Sequence, residues 1–115
     1  MGRESRRATR RAMSGTVLVT DTMTEDVIGR IGNLSASGVL LIASKPLTDD
    51  ALYQFRFALP DDMGETQPLE VGAHVLWVDD ASAPGQSWAG LRFIGLSPEA
   101  TRRLRWWTEQ ESHAR

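Results

Sequence analysis

Tyr53-Gln54-Phe55-Arg56-Phe57-Ala58-Leu59 decides the fold class. Bulky apolar side chains fall on every second position, the period-two pattern of a strand with one buried face. Pro60-Asp61-Asp62-Met63-Gly64 follows with the composition of a turn, and Val71, Ala73, Val75 and Trp77 then alternate in the same way. On that alternation Trp77 is expected to face inward. Further strands are predicted at Thr16–Thr20, Val27–Ile31 and Trp88–Ile94, and Val39-Leu40-Leu41-Ile42 is a continuous apolar run suited to a buried strand. Asp79–Gly85 reads as a loop by composition. About six short strands joined by turns predict a closed or nearly closed antiparallel barrel, because closure removes exposed edges.

A single helix is expected near the C-terminus, over about residues 98–111. Ser97 suits the N-cap, Pro98 the first helical position, and Glu99 the first turn, where the dipole favours an acid. Ala100, Leu104 and Trp107 recur at i, i+4 and i+7 as one apolar stripe able to cover the barrel, with Arg102, Arg103 and Arg105 mostly off it. Trp88 and Trp106 are expected to be partly exposed.

The chain of 115 residues has room for one domain and carries no cysteine, which removes disulfides, thiolate metal sites and cysteine nucleophiles together. That absence fits a reducing cytoplasm, and a charged N-terminus without an apolar stretch argues against secretion. The net charge of −2 conceals an asymmetry. Arg3, Arg6, Arg7, Arg10 and Arg11 stand against Glu4 in the first twelve residues, a local charge of +4, which leaves −6 in the remainder. A basic head on an acidic body argues for a specific anionic partner rather than a nucleic-acid surface. The organisation expected is a flexible basic arm over residues 1–13 and a barrel with its helix over 14–115.

Catalysis has little to draw on. His74 lies in a predicted strand and His113 in the tail, with no spacing that resembles a metal site or a triad. Asp49-Asp50, Asp61-Asp62 and Asp79-Asp80 read as turn acids, and no glycine-rich strand-to-helix phosphate loop is present. The chain is therefore expected to be neither an enzyme nor a metal or cofactor protein.

Two elements carry chemistry together. The arginine segment offers guanidinium groups that grip phosphate oxygens bidentately, stack on a base, and donate to guanine O6 and N7. Asn33-Leu34-Ser35-Ala36-Ser37-Gly38 lies where one strand ends and the next begins. Asn33 and Ser35 bring short polar side chains, and Gly38 permits close backbone approach or a positive φ.

In that order, Arg-x-x-x-Arg before the first strand and [Asp/Asn]-x-Ser-x-x-Gly before the third, the chain resembles the PilZ domain family. Gly90-Leu91-Arg92-Phe93 is similar to the Gly-x-x-Phe of the family's last strand. The doubled arginines admit two registers, Arg7…Arg11 and Arg6…Arg10. The first is preferred, since the family often has Arg-Arg, three residues, and then the second motif arginine. The resemblance implies a six-stranded antiparallel β-barrel with a C-terminal α-helix that acts as a bacterial cyclic di-GMP receptor. The site residues implied are Arg6, Arg7, Arg10 and Arg11 on one side and Asn33, Ser35 and Gly38 on the other. In the family an arginine just before the first motif residue accompanies an intercalated ligand dimer. Arg6 before Arg7 therefore implies two cyclic di-GMP molecules per protomer. Output would pass through a protein effector that these residues do not identify. The alternatives are a PilZ-like protein-interaction module that binds no nucleotide, and a small nucleic-acid-binding barrel, against which the acidic body argues.

Overall fold

A computed structural model describes residues 10–81 and 83–113, with side chains described through Gln110. Seven strands and one helix follow in order: β1 (Arg11–Ala12), β2 (Leu18–Asp21), β3 (Asp26–Leu34), β4 (Gly38–Ala43), β5 (Leu52–Pro60), β6 (Thr66–Asp80), β7 (Ser87–Ile94) and α1 (Pro98–His113). Each of β2 to β7 pairs antiparallel with its neighbours in the cyclic order β2–β5–β6–β7–β4–β3, and β3 returns to β2. The expected six-stranded antiparallel barrel is thus closed. The two-residue β1 lies along the same edge of β3 that β2 occupies further up.

The alternation of β5 translates directly into packing. Phe55, Phe57 and Leu59 are buried in the barrel, and Tyr53 is half-buried and stacks on Phe55 with ring centroids 5.5 Å apart. From β6, Val71, Ala73 and Val75 meet them. The β5–β6 turn is held by Asp61, whose carboxylate accepts from the N–H groups of Met63 and Glu65, while Gly64 supplies a φ of 83°. The helix stripe is as expected: Ala100, Leu104 and Trp107 are buried in the same core, and Ser97 Oγ accepts from Ala100 N–H as an N-cap.

Three expectations change. Trp77 is 43 % exposed, because the β6–β7 register slips between Val75 and Trp77, so that Leu76 is an extra residue. Such a bulge reverses the face of every side chain beyond it. Gly90 answers it: a Cβ there would overlap the indole of Trp77, which lies across the glycine. β6 also continues through Asp79 and Asp80, which pair with Trp88 and Ser87, so the expected loop shortens to the residues after Asp80. Finally, the apolar run in β4 is buried on one face only: Val39 and Leu41 point inward, whereas Leu40 and Ile42 are half-buried on the outside.

Candidate functional site

Asn33 owes its orientation to a second bulge. β3 pairs Ile31 with Leu41 and then Asn33 with Leu40, which leaves Gly32 as the extra residue. Ile31 and Leu34 both point into the core, so the inserted glycine turns Asn33 to the barrel's outer surface. Strict alternation from Ile31 would have aimed it inward. Bulges of this kind re-aim a side chain at the cost of one unpaired residue.

The β3–β4 hairpin beside it is built by Ser35 and Gly38. The buried Ser35 Oγ accepts from the N–H groups of Ser37 (3.2 Å) and Gly38 (3.1 Å), and Ser35 N–H donates to Gly38 O at 2.9 Å. This hydroxyl is occupied inside the turn and satisfies backbone groups that burial would otherwise leave unpaired. Gly38 keeps an extended conformation, and the positive-φ glycines among the described residues are Gly64, Gly85 and Gly95. What requires a glycine here is close approach: a Cβ would overlap the carbonyl oxygen of Leu91 on β7. Ser37 O accepts from Phe93 N–H at 2.9 Å, which ties the hairpin to β7 from the other side.

The arginine segment meets this hairpin. Arg10 Nη1 donates to Asn33 Oδ1 at 2.6 Å, and β1 pairs Arg11 with Leu34 and Ala12 with Asn33. Met13 N–H donates to Gly32 O at 3.2 Å, so residues 10–13, the end of the segment read as an arm, lie along β3. Arg10 is exposed, and partial desolvation against the barrel wall holds its guanidinium below the usual arginine value, although an arginine remains charged. Among the described residues no carboxylate lies within ion-pairing distance of it. Arg11 turns to the opposite side. Its guanidinium sits 4.0 Å above the centre of the Trp107 ring and donates Nη1 to the Trp107 carbonyl at 2.8 Å. Arg6 and Arg7 fall outside the described residues.

Around Arg10 and Asn33 the outer wall carries residues that the motifs did not indicate. Across the strands from Asn33 run Leu40, Gly90 and Trp77 in register. Trp88, 37 % exposed, leans across β4 until its ring edge lies beside Gly32. Arg92 stands opposite Gly38, and Arg30 opposite Ile42; both are exposed. A cationic side chain with no carboxylate partner among the described residues, two accessible indoles and an outward amide therefore share one face. Such a surface can grip an anion and offer flat π-faces to a base. No spacing rule places Trp77, Trp88, Arg30 and Arg92 there, since their position depends on both bulges and on the cross-strand register. Among the described residues no cluster of three His, Asp or Glu is placed to hold a metal ion. No helix among them is long and apolar enough to cross a membrane.

A six-stranded antiparallel barrel with a helix after its last strand and a polar hairpin on its outer face defines the class. The family model for the PilZ domain matches residues 4–110, and the chain belongs to that family. Among solved structures it is similar to the Bacillus subtilis inhibitor of motility (MotI/DgrA), with a TM-score of 0.75 at 14 % identity, over 94 % of this chain and 51 % of that one. It is also similar to the PilZ domain with c-di-GMP of YcgR from Escherichia coli, with a TM-score of 0.65 at 16 % identity, over 94 % of each chain. Escherichia coli YcgR in complex with c-di-GMP aligns with a TM-score of 0.68 at 18 % identity, over 94 % of this chain and 47 % of that one. The chain thus spans about half the length of MotI and of the longer YcgR chain. None of the curated proteins matches it.

Proposed function

We propose that this domain is a cyclic di-GMP receptor that works without catalysis, in the bacterial cytoplasm, and passes its signal to a protein effector. The observation that carries this reading is the seat of Arg10: an exposed, partly desolvated cation whose described partner is the neutral amide of Asn33. Two YcgR structures of the same fold hold c-di-GMP, which supports a ligand with two phosphates and two guanines. Arg10 supplies the charge-assisted hydrogen bonds and Asn33 the guanine-edge contact. Ser35 and Gly38 shape the hairpin rather than touch the ligand, because the hydroxyl is occupied in the turn. Trp77 and Trp88 offer stacking faces.

The geometry favours Arg6…Arg10 over Arg7…Arg11 as the motif pair, since Arg10 faces Asn33 and Arg11 faces the helix. In that register the residue before the pair is Ser5, which carries no implication of an intercalated dimer. One ligand per protomer is the expected stoichiometry.

Calorimetry with cyclic di-GMP, beside GMP and a short oligonucleotide, tests the proposal. Tight binding of cyclic di-GMP alone is expected with n near one, and Arg10→Ala should cost about 2–5 kcal/mol of binding free energy. An n near two, with wild-type affinity in Arg10→Ala and a severe loss in Arg11→Ala, would restore the Arg7…Arg11 register. No binding of cyclic di-GMP would leave the nucleotide-free protein-interaction module as the better reading.

A further inference from the structure

We infer that Arg11 is a positioning residue: it fastens the arginine segment to α1 through Trp107 and thereby couples the nucleotide face to the C-terminal helix. Arg10 and Arg11 are consecutive in an extended chain, so their side chains leave on opposite sides. One reaches Asn33 on the barrel wall, and the other reaches the ring and carbonyl of Trp107, 96 positions further along the chain. β1 is only two residues long and its pairing with β3 covers only Arg11 and Ala12. Two strand residues cannot hold themselves in place, and the Arg11–Trp107 contact is the described side-chain interaction that pins this strand to the helix.

Arginine suits the task in a way lysine does not. Its planar guanidinium stacks on the indole and still directs one N–H along its own plane to a carbonyl, whereas an ammonium offers a point charge with no face. Trp107 is itself buried among the core residues beside Leu104 and Ala100, so the anchor is rigid. Pulling Arg10 toward a bound anion therefore loads the joint at Arg11, and a shift of α1 would in turn move Arg10. Each site biases the other by the same free energy, as linkage requires.

The effector end of this coupling is the solvent face of α1. Trp106 is half-buried next to Trp107, and Arg102 and Arg105 are exposed on the same helix, so a change in its seating alters the surface that a partner protein meets. The inference rests on the cyclic di-GMP reading for the identity of the ligand but not for the existence of the joint, and the test separates the two.

Hydrogen exchange is measured on the free protein and on the protein with cyclic di-GMP, for wild type, Arg11→Gln, Arg11→Lys and Arg10→Gln. In the free protein, Arg11→Gln should speed exchange of the Met13 amide, which donates to Gly32 O, by about tenfold, the size of a lost cation–π contact with its hydrogen bond. Arg11→Lys should fall between, and Arg10→Gln should leave that amide within about twofold. Affinity for cyclic di-GMP should drop several-fold in Arg11→Gln and at least tenfold more in Arg10→Gln. Ligand should change the exchange of residues 104–110 in wild type and not in Arg11→Gln. Unchanged Met13 exchange in free Arg11→Gln, with an affinity loss equal to that of Arg10→Gln, would make Arg11 a ligand contact and overturn the inference. Should cyclic di-GMP fail to bind wild type while Arg11→Gln still loosens β1, the joint stands and the ligand reading falls.

Discussion

β3 and β5 are each nine residues long and both form part of the barrel wall, yet they are built differently. β5 pairs with β6 over nine consecutive residues without a break, and its inward side chains are Phe55, Phe57 and Leu59 at strict alternate positions. β3 is interrupted twice, once against β2, where Ile28 is the extra residue, and once against β4, where Gly32 is. Its inward side chains, Ile28, Ile31 and Leu34, therefore come every third residue. Regular pairing sends a large side chain into the core at every second position and leaves the outer face to whatever solvent tolerates. Each bulge costs a ladder position but re-aims a side chain, and the one at Gly32 presents Asn33 to Arg10. On the proposed reading, stability and recognition are placed in different strands of one closed sheet.

The largest test of this division removes the centre of the regular strand. Phe55 is almost fully buried, and Phe55→Ala should cost about 3–5 kcal/mol of unfolding free energy through lost burial and a cavity. Urea unfolding monitored by circular dichroism measures it. Under conditions where the variant remains folded, its affinity for cyclic di-GMP should match the wild type within about twofold. A parallel collapse of affinity would mean that β5 supports the nucleotide face after all, and the two regions would not be separable.

The same contrast explains what could be read in the sequence. Barrel class, the inward residues of β5, the capped helix and its stripe all follow from periods of 2.0 and 3.6, which hold wherever pairing is unbroken. The inward placement that alternation predicts for Trp77 fails because nothing in Val75-Leu76-Trp77 marks a bulge; its trace is Gly90, on the partner strand, where the indole needs room. The resemblance groups Asn33, Ser35 and Gly38 as one motif, but the spacing does not separate their places in the hairpin. The turn hydroxyl, the close approach to Leu91 and the outward amide depend on register. The choice between Arg10 and Arg11 depends on which side of β1 each leaves, and that parity is set by pairing with Leu34 and Asn33.

A smaller effect is expected at the hairpin that joins β3 to β4. In Gly38→Val the added branches meet the backbone of Leu91 rather than a movable side chain, so the two strands must separate locally. Overpacking of this kind costs about 1–3 kcal/mol. Because Phe93 N–H donates to Ser37 O, the displacement should also swing the hairpin away from Arg10 and weaken cyclic di-GMP binding. A folded Gly38→Val with unchanged affinity would show that the hairpin's position does not matter to the site. Ser35→Ala offers a milder version, leaving the Ser37 and Gly38 amides without their shared acceptor.

The smallest effect lies where the regular strand reaches toward the interrupted one. Arg56, on β5, donates two hydrogen bonds to the carboxylate of Glu25, at 2.7 and 3.3 Å. Glu25 occupies the β2–β3 turn at a φ of 60°, its N–H bonded to Asp21 O at 2.7 Å. The hydrogen bonds from Arg56, and then its charge, hold the Glu25 carboxyl below the usual value, with slight desolvation opposing them. The folded-state pKa is therefore lower than the unfolded one, about 4.3. The pair's contribution is fully present above that value and is lost as the pH falls through the folded pKa. Both side chains are exposed, so the contribution is small and shrinks with added salt. Carbon-detected NMR titration of Glu25 should give a lower midpoint in wild type than in Arg56→Gln, with the difference narrowing at high salt. Equal midpoints would mean that the pair does not persist in solution and that the turn is held by Asp21 alone. Cyclic di-GMP affinity at neutral pH should be the same in both proteins, because the pair ties β5 to the far end of β3, six residues beyond the bulge that turns Asn33 outward.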